Sequence, residues 1–226
     1  MTKNIEVFTQ NSIRIKSGDG DREAGNLNIY IDPFQMKIAP KDADFILITH
    51  DHYDHFSPED IGKVTGADTT LIVPEKMEQK AQEVSGLVSR IVTVRPGESY
   101  AVDGVVSESG DKLEFETIPA YNLLKPFHPK SAGWVGYILK INGKRIYIAG
   151  DTDATKEAKA VECDIALVPI GGTYTMDAKQ AAELVNVIRP KVAVPVHYGS
   201  IVGKPEDAKV FASGVKDPVE VEVKIR

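Results

Sequence analysis

The sequence predicts an α+β protein in which two β-sheets pack face to face with helices outside them. Two observations predict it. Strand-length apolar runs fill both halves of the chain, and helical segments interrupt them in both halves instead of gathering at one end. Sheets that must each cover an apolar face produce this layered pattern. Size agrees: 226 residues, 42% hydrophobic and 27% charged, suffice for one domain spanning residues 1–226. No Ser/Pro-rich linker divides the chain.

Residues 4–8, 12–15 and 27–31 read as strands separated by polar and glycine-rich turns. Ser17-Gly18-Asp19-Gly20-Asp21 reads as a hairpin connection. Its acidic spacing resembles a calcium loop, but Ala24 stands where that loop needs glycine, so the turn is preferred. Residues 44–49 form a continuous apolar run, the mark of a strand buried on both faces. Ser57 and Pro58 then start a helix as N-cap and first helical residue. A strand at 70–73 and a helix at 74–84 follow.

The middle is β-rich, with strands at 91–94, 98–102, 112–118, 136–141 and 145–149. Asn142-Gly143 joins the last two as a two-residue hairpin. Strand and helix then alternate: strand 164–168, helix 177–188, strand 192–196, helix 205–211 and strand 219–223. In the longest helix Ala178, Ala181, Ala182, Val185 and Ile188 share one face.

Composition excludes several functions. The single cysteine, Cys163, cannot form an internal disulfide. The N-terminus has no apolar run of secretion-signal length, and no segment approaches the ~18 apolar residues of a membrane span. The expectation is a cytoplasmic protein without a membrane partner. A net charge of −6 argues against nucleic acid, though not against a local basic pocket. Oligomeric state is not readable.

The chemistry lies in Thr49-His50-Asp51-His52-Tyr53-Asp54-His55, which holds three of the five histidines within six residues. In an extended segment side chains two apart point the same way, so His50 and His52 converge on one metal. Asp54 and His55 follow where the chain turns and face a second. Imidazoles and carboxylates suit zinc, with manganese or iron as alternatives. The bland reading is a histidine-rich surface loop. So tight a cluster directly after a buried strand makes the metal reading the stronger.

On the motifs IDPF, THDHYDH, IAGDTD, PIGGTYTMD and VPVHYG, the chain resembles the metallo-β-lactamase-fold superfamily of metallohydrolases. Within it, the combination resembles the small cytosolic branch of L-ascorbate-6-phosphate lactonase-like proteins. The resemblance covers at least Asp32 to Gly199. It implies a four-layer αββα sandwich with two divalent metal ions at one edge between the sheets. It further implies that Asp151 bridges the metals, that His197 is the last histidine ligand, and that Asp32 fixes a ligand imidazole. Taken alone, Asp32 is equally well an Asp-Pro turn, Gly150-Asp151 a common turn, and His197 a structural histidine.

One piece departs from the family pattern. The superfamily usually places another histidine, often in a Gly-His-Thr segment, before the bridging aspartate. This chain has Tyr121 and Asn122 in that slot. Either His128 reaches back to restore the ligand, or the first metal has only His50, His52 and Asp151. His128 also has readings as a substrate contact or as packing against Phe127.

The implied chemistry is hydrolysis by a metal-bound hydroxide, since a bound metal lowers the pKa of water from ~15.7 towards 7. Asp54 is the candidate catalytic residue, orienting that water or accepting its proton. The substrate is a small molecule with an ester, lactone or phosphodiester bond. Lys125 and Lys130 beside His128 suit an anionic one. The competing reading is a metal-binding module of the same fold without hydrolytic activity.

Overall fold

The computed structural model describes residues 1–18, 26–104 and 112–225. Its strands β1 (Ile5–Thr9), β2 (Ser12–Lys16), β3 (Asn28–Ile31), β4 (Ala43–Leu47), β5 (Thr65–Pro74) and β6 (Arg90–Val94) form one sheet in chain order. Helices α1 (Pro58–Val64) and α2 (Glu78–Ala81) belong to this half. The second sheet has the order β13-β12-β11-β10-β9-β8-β7. Its strands are β7 (Ser99–Asp103), β8 (Lys112–Pro119), β9 (Val135–Ile141), β10 (Lys144–Ile148), β11 (Ile165–Pro169), β12 (Val192–Val196) and β13 (Glu220–Val221). Helices α3 (Lys156–Lys159), α4 (Ala178–Ile188) and α5 (Asp207–Gly214) accompany it. Each sheet begins antiparallel and ends parallel.

Three apolar layers make the sandwich four layers deep. Alternate residues of one strand serve different layers, because side chains two apart share a face. Phe45 and Leu47 of β4 pack with Leu139, Ile148 and Leu167 between the sheets. Ile46 points the other way, to Ile61, Val64 and Ala81 on α1 and α2. Tyr147 and Ala166 likewise face Ala181, Leu184 and Val185 of α4 and Phe211 of α5. This is why residues 44–49 are apolar without alternation. Both faces are buried.

The capping and turn signals are realised. Ser57 Oγ accepts the Asp60 N–H at 3.3 Å. Asp177 and Gln180 form a reciprocal capping box on α4. Asn142 and Gly143 both have positive φ, at 52° and 69°, the requirement of a type I′ hairpin.

Several boundaries differ from the sequence reading. β5 starts at Thr65, five residues early, because Thr65 pairs with Ala43 across an irregularity in register. Residues 75–84 form three short pieces, 3-10, α and 3-10, instead of one regular helix. α5 is displaced C-terminally to Asp207–Gly214, and β13 keeps only two residues. The four-residue α3, capped by Thr155, has no counterpart among the predicted elements. The predicted hairpin at Ser17–Asp21, with Ala24, falls beyond the described residues from residue 19 onward. Among the described residues no helix is long and apolar enough to cross a membrane.

Candidate metal centre

Parallel strands place their C-terminal ends on one edge, and the site is built there, where open α/β sheets collect their ligands. Asp32 follows β3, His50 follows β4, Asp151 follows β10 and His197 follows β12. Two glycines make the approach possible. Gly150, with φ 63°, turns the chain so that Asp151 enters the edge. Gly171 lies so close to β12 that a Cβ would come within 2.5 Å of the His197 carbonyl oxygen.

The histidine segment does not continue as a strand. Residues 51–55 form a turn, in which the His55 and Phe56 N–H groups both donate to the His52 carbonyl, at 3.0 and 2.8 Å. The expected convergence of His50 and His52 survives for this different reason: His50 Nε2 and His52 Nδ1 are 3.1 Å apart.

Asp32 is fully buried and collects four donors. Oδ1 accepts from the Thr49 N–H at 2.8 Å. Oδ2 accepts from Thr49 Oγ1 at 2.6 Å, Asn11 Nδ2 at 2.7 Å and His55 Nδ1 at 2.7 Å. Its φ of 44°, unusual for a residue with a side chain, aims the carboxylate inward. The proton therefore stays on His55 Nδ1, and Nε2 faces the centre. Asn11, on the β1–β2 turn, has no sequence signal, because a lone polar residue in a hairpin carries no motif. Asp32→Ala should lower stability by about 3 kcal/mol, since four buried donor groups lose their acceptor. Urea unfolding of the metal-free protein measures this, and an unchanged midpoint would refute it.

His55 Nε2 lies 3.1 Å from His197 Nε2 and 3.6 Å from Asp54 Oδ2. His197 Nε2 lies 3.3 Å from the same oxygen of Asp54. Asp151 stands between the two histidine groups. Its Oδ1 is 3.2 Å from His197 and 3.5 Å from His55, while its Oδ2 is 3.4 Å from His128 and 3.9 Å from His50. Three sets of ligand atoms lie within 4.8 Å of one another: His50, His52 and His128; His50, His55 and Asp151; Asp54, His55 and His197.

His128 enters from the loop after β8. The Asn122 amide donates to the Tyr174 carbonyl at 2.9 Å, which turns Asn122 Oδ1 towards His128 Nδ1 at 3.1 Å. The imidazole donates through Nδ1, so Nε2 keeps its lone pair. That atom is buried without a hydrogen-bond partner, as is Asp151 Oδ1. A cation between that nitrogen and the Asp151 carboxylate would satisfy both. Tyr121 turns away, its hydroxyl donating to Glu157 at 2.8 Å. Trp134, absent from the sequence reading because it belongs to no motif, packs 5.0 Å from His50, 5.0 Å from His52 and 5.2 Å from His128.

Electrostatics favour a cation. Burial and the neighbouring His55 hold His50 well below the ordinary histidine range, and burial and His128 lower His52. Burial would raise Asp151, but His197 and His55 hold it well below the usual carboxylate range. Burial likewise opposes ionisation of Asp54, yet the contact with His197 lowers it. His55 goes the other way. Burial lowers it, but Asp151 and Asp32 outweigh that and hold it at about 9.

The two lysines expected to serve an anionic substrate have other partners. Lys125 pairs with Asp153 and donates to the Thr175 carbonyl at 2.8 Å. Lys130 pairs with Glu157 at 2.7 Å and lies 4.8 Å from the Tyr121 ring centre.

The architecture is that of the metallo-β-lactamase fold. The Bacillus subtilis protein YhfI, described by that fold, superposes with a TM-score of 0.69 at 9% identity, covering 95% of this chain and 89% of its own. A family model described as a beta-lactamase superfamily domain matches residues 5–197. A UPF0173 metal-dependent hydrolase of Pyrococcus abyssi is 32% identical over 213 residues, 88% of this chain and 89% of the relative. The metallo hydrolase Igni18 of Ignicoccus hospitalis has a TM-score of 0.72 at 25% identity, covering 98% of this chain and 94% of its own. The chain belongs to the beta-lactamase superfamily and, within it, to the UPF0173 metal-dependent hydrolases.

Proposed function

We propose that the protein hydrolyses a small-molecule ester, lactone or phosphodiester with two divalent metals, zinc first among the candidates. The observation that carries this reading is Asp151, each of whose oxygens faces a different set of imidazole nitrogens. His50, His52 and His128 would hold one metal, Asp54, His55 and His197 the other, and Asp151 both. Bound metal of this kind supplies an acidified water and polarises the substrate's carbonyl or phosphoryl oxygen.

The chain's own groups do the rest. Asp32 and Asn122 fix the imidazole orientations. Asp54, ionised and lining the cavity beside the metal residues, positions the attacking water and receives its proton. Asp54→Ala should therefore abolish turnover on an ester, lactone and phosphodiester panel while the fold is retained by circular dichroism. Full metal loading with no turnover by the unsubstituted protein on any of the three would favour a non-hydrolytic metal-binding module.

The reading also has a pH signature. With His55 held at about 9 in the metal-free chain, it carries a proton at neutral pH that a metal must displace. Affinity should then rise as pH rises, roughly tenfold per unit, and level off near 9. The single tryptophan, Trp134, touches three candidate ligands, so its fluorescence reports the titration. Affinity independent of pH between 7 and 9 would exclude His55 as a ligand.

A further inference from the structure

Beside the metal residues lies a cavity of about 330 Å³, floored by His52, Asp54 and Asp151. Its volume is near the lower end of the roughly 300–1,000 Å³ typical of small-molecule sites. Its other lining residues are Tyr53, Phe127, Tyr174 and Ile201. Tyr53 is 66% exposed, Phe127 45% and Ile201 37%. Large apolar side chains left uncovered together beside a polar centre mark a binding surface. The wall is also braced. Phe127 meets Tyr174 edge-on at 4.8 Å, and Tyr53 leans on the buried Phe34 at 6.0 Å.

No lysine or arginine is among the described residues that line this cavity. Lys125 and Lys130 are held by Asp153 and Glu157. A substrate phosphate or carboxylate away from the reacting bond would lose its water against this wall and gain no cation, which is costly. An apolar group would lose nothing and bury its surface.

We infer that the substrate carries, away from its reacting bond, an uncharged aryl or alkyl group of a few carbons that docks on Phe127, Tyr174 and Ile201, and a carboxylic ester is the simplest such substrate. This rests on the hydrolase reading and narrows it. In the reaction a water oxygen bonds to the acyl carbon as the acyl C–O bond breaks. One water proton reaches the leaving oxygen, so ester plus water gives acid plus alcohol.

The test separates binding from chemistry. Zinc-loaded protein is titrated by NMR with 4-phenylbutyramide and with butyramide. The phenyl-bearing amide should bind at least about tenfold tighter, and Phe127→Ala and Ile201→Ala should each reduce the difference. Equal affinities would overturn the inference whether or not any ester is turned over. Turnover is then compared for phenyl 4-phenylbutyrate and for phenyl hydrogen glutarate, whose acyl end is anionic. A kcat/KM at least about tenfold higher for the first is expected, and the reverse order would overturn the inference. Discrimination between the amides without turnover of either ester would leave the apolar site standing and overturn the carboxylic ester as the bond cut.

Discussion

Asp151→Asn is expected to reduce turnover by on the order of a thousandfold and to release at least one equivalent of metal. The substitution keeps the shape of a buried side chain and removes its charge. It also turns an NH2 group towards imidazole nitrogens that now face carboxylate oxygens at 3.2 to 3.5 Å. An amide cannot offer anionic oxygens to two cations at once, so both sites should weaken together. Metal analysis after gel filtration reads the stoichiometry, and circular dichroism confirms the fold. Full metal content with full turnover would remove Asp151 from the centre. Loss from one site with unchanged affinity at the other would show that its two oxygens do not serve two metals.

Much of the fold was legible because the strands are buried on both faces. Residues 44–49 and 164–168 read as unbroken apolar runs, and such runs between helices imply layers. What escaped has physical reasons. α3 is a single turn, too short for a helical period. The start of β5 is polar and partly exposed, so nothing apolar marks it.

The site divides the same way. His50, His52, Asp54 and His55 come from one loop, so their proximity is written in the sequence. Asn11 reaches Asp32 across 21 residues, and Trp134 reaches the histidines from the position just before β9. Only the tertiary fold brings them there. The lysines near His128 suggest substrate contacts because their charge is visible in sequence, whereas the carboxylates that bind them, Asp153 and Glu157, lie 28 and 27 residues away.

His128 is the sharpest test of the departure from the family pattern. The slot that usually holds a histidine has Tyr121 and Asn122, and Asn122 orients an imidazole supplied six residues later. His128→Ala should therefore weaken metal binding at the site of His50 and His52 by more than the roughly 10- to 100-fold typical of losing a group that only orients a ligand, leaving the other site occupied. Asn122→Ala should weaken it less, because the ring remains but its tautomer and angle are no longer set. Asn122→Asp should retain binding, since a carboxylate oxygen still accepts the Nδ1 proton. Tyr121→Phe should change nothing at the metal, because that hydroxyl is committed to Glu157. Competition with a chromogenic chelator ranks the four variants. Wild-type affinity in His128→Ala would show that two histidines and Asp151 suffice, and that the buried Nε2 atom has another use. Equal losses in His128→Ala and Tyr121→Phe would show instead that the loop's packing, and not the imidazole, supports the site.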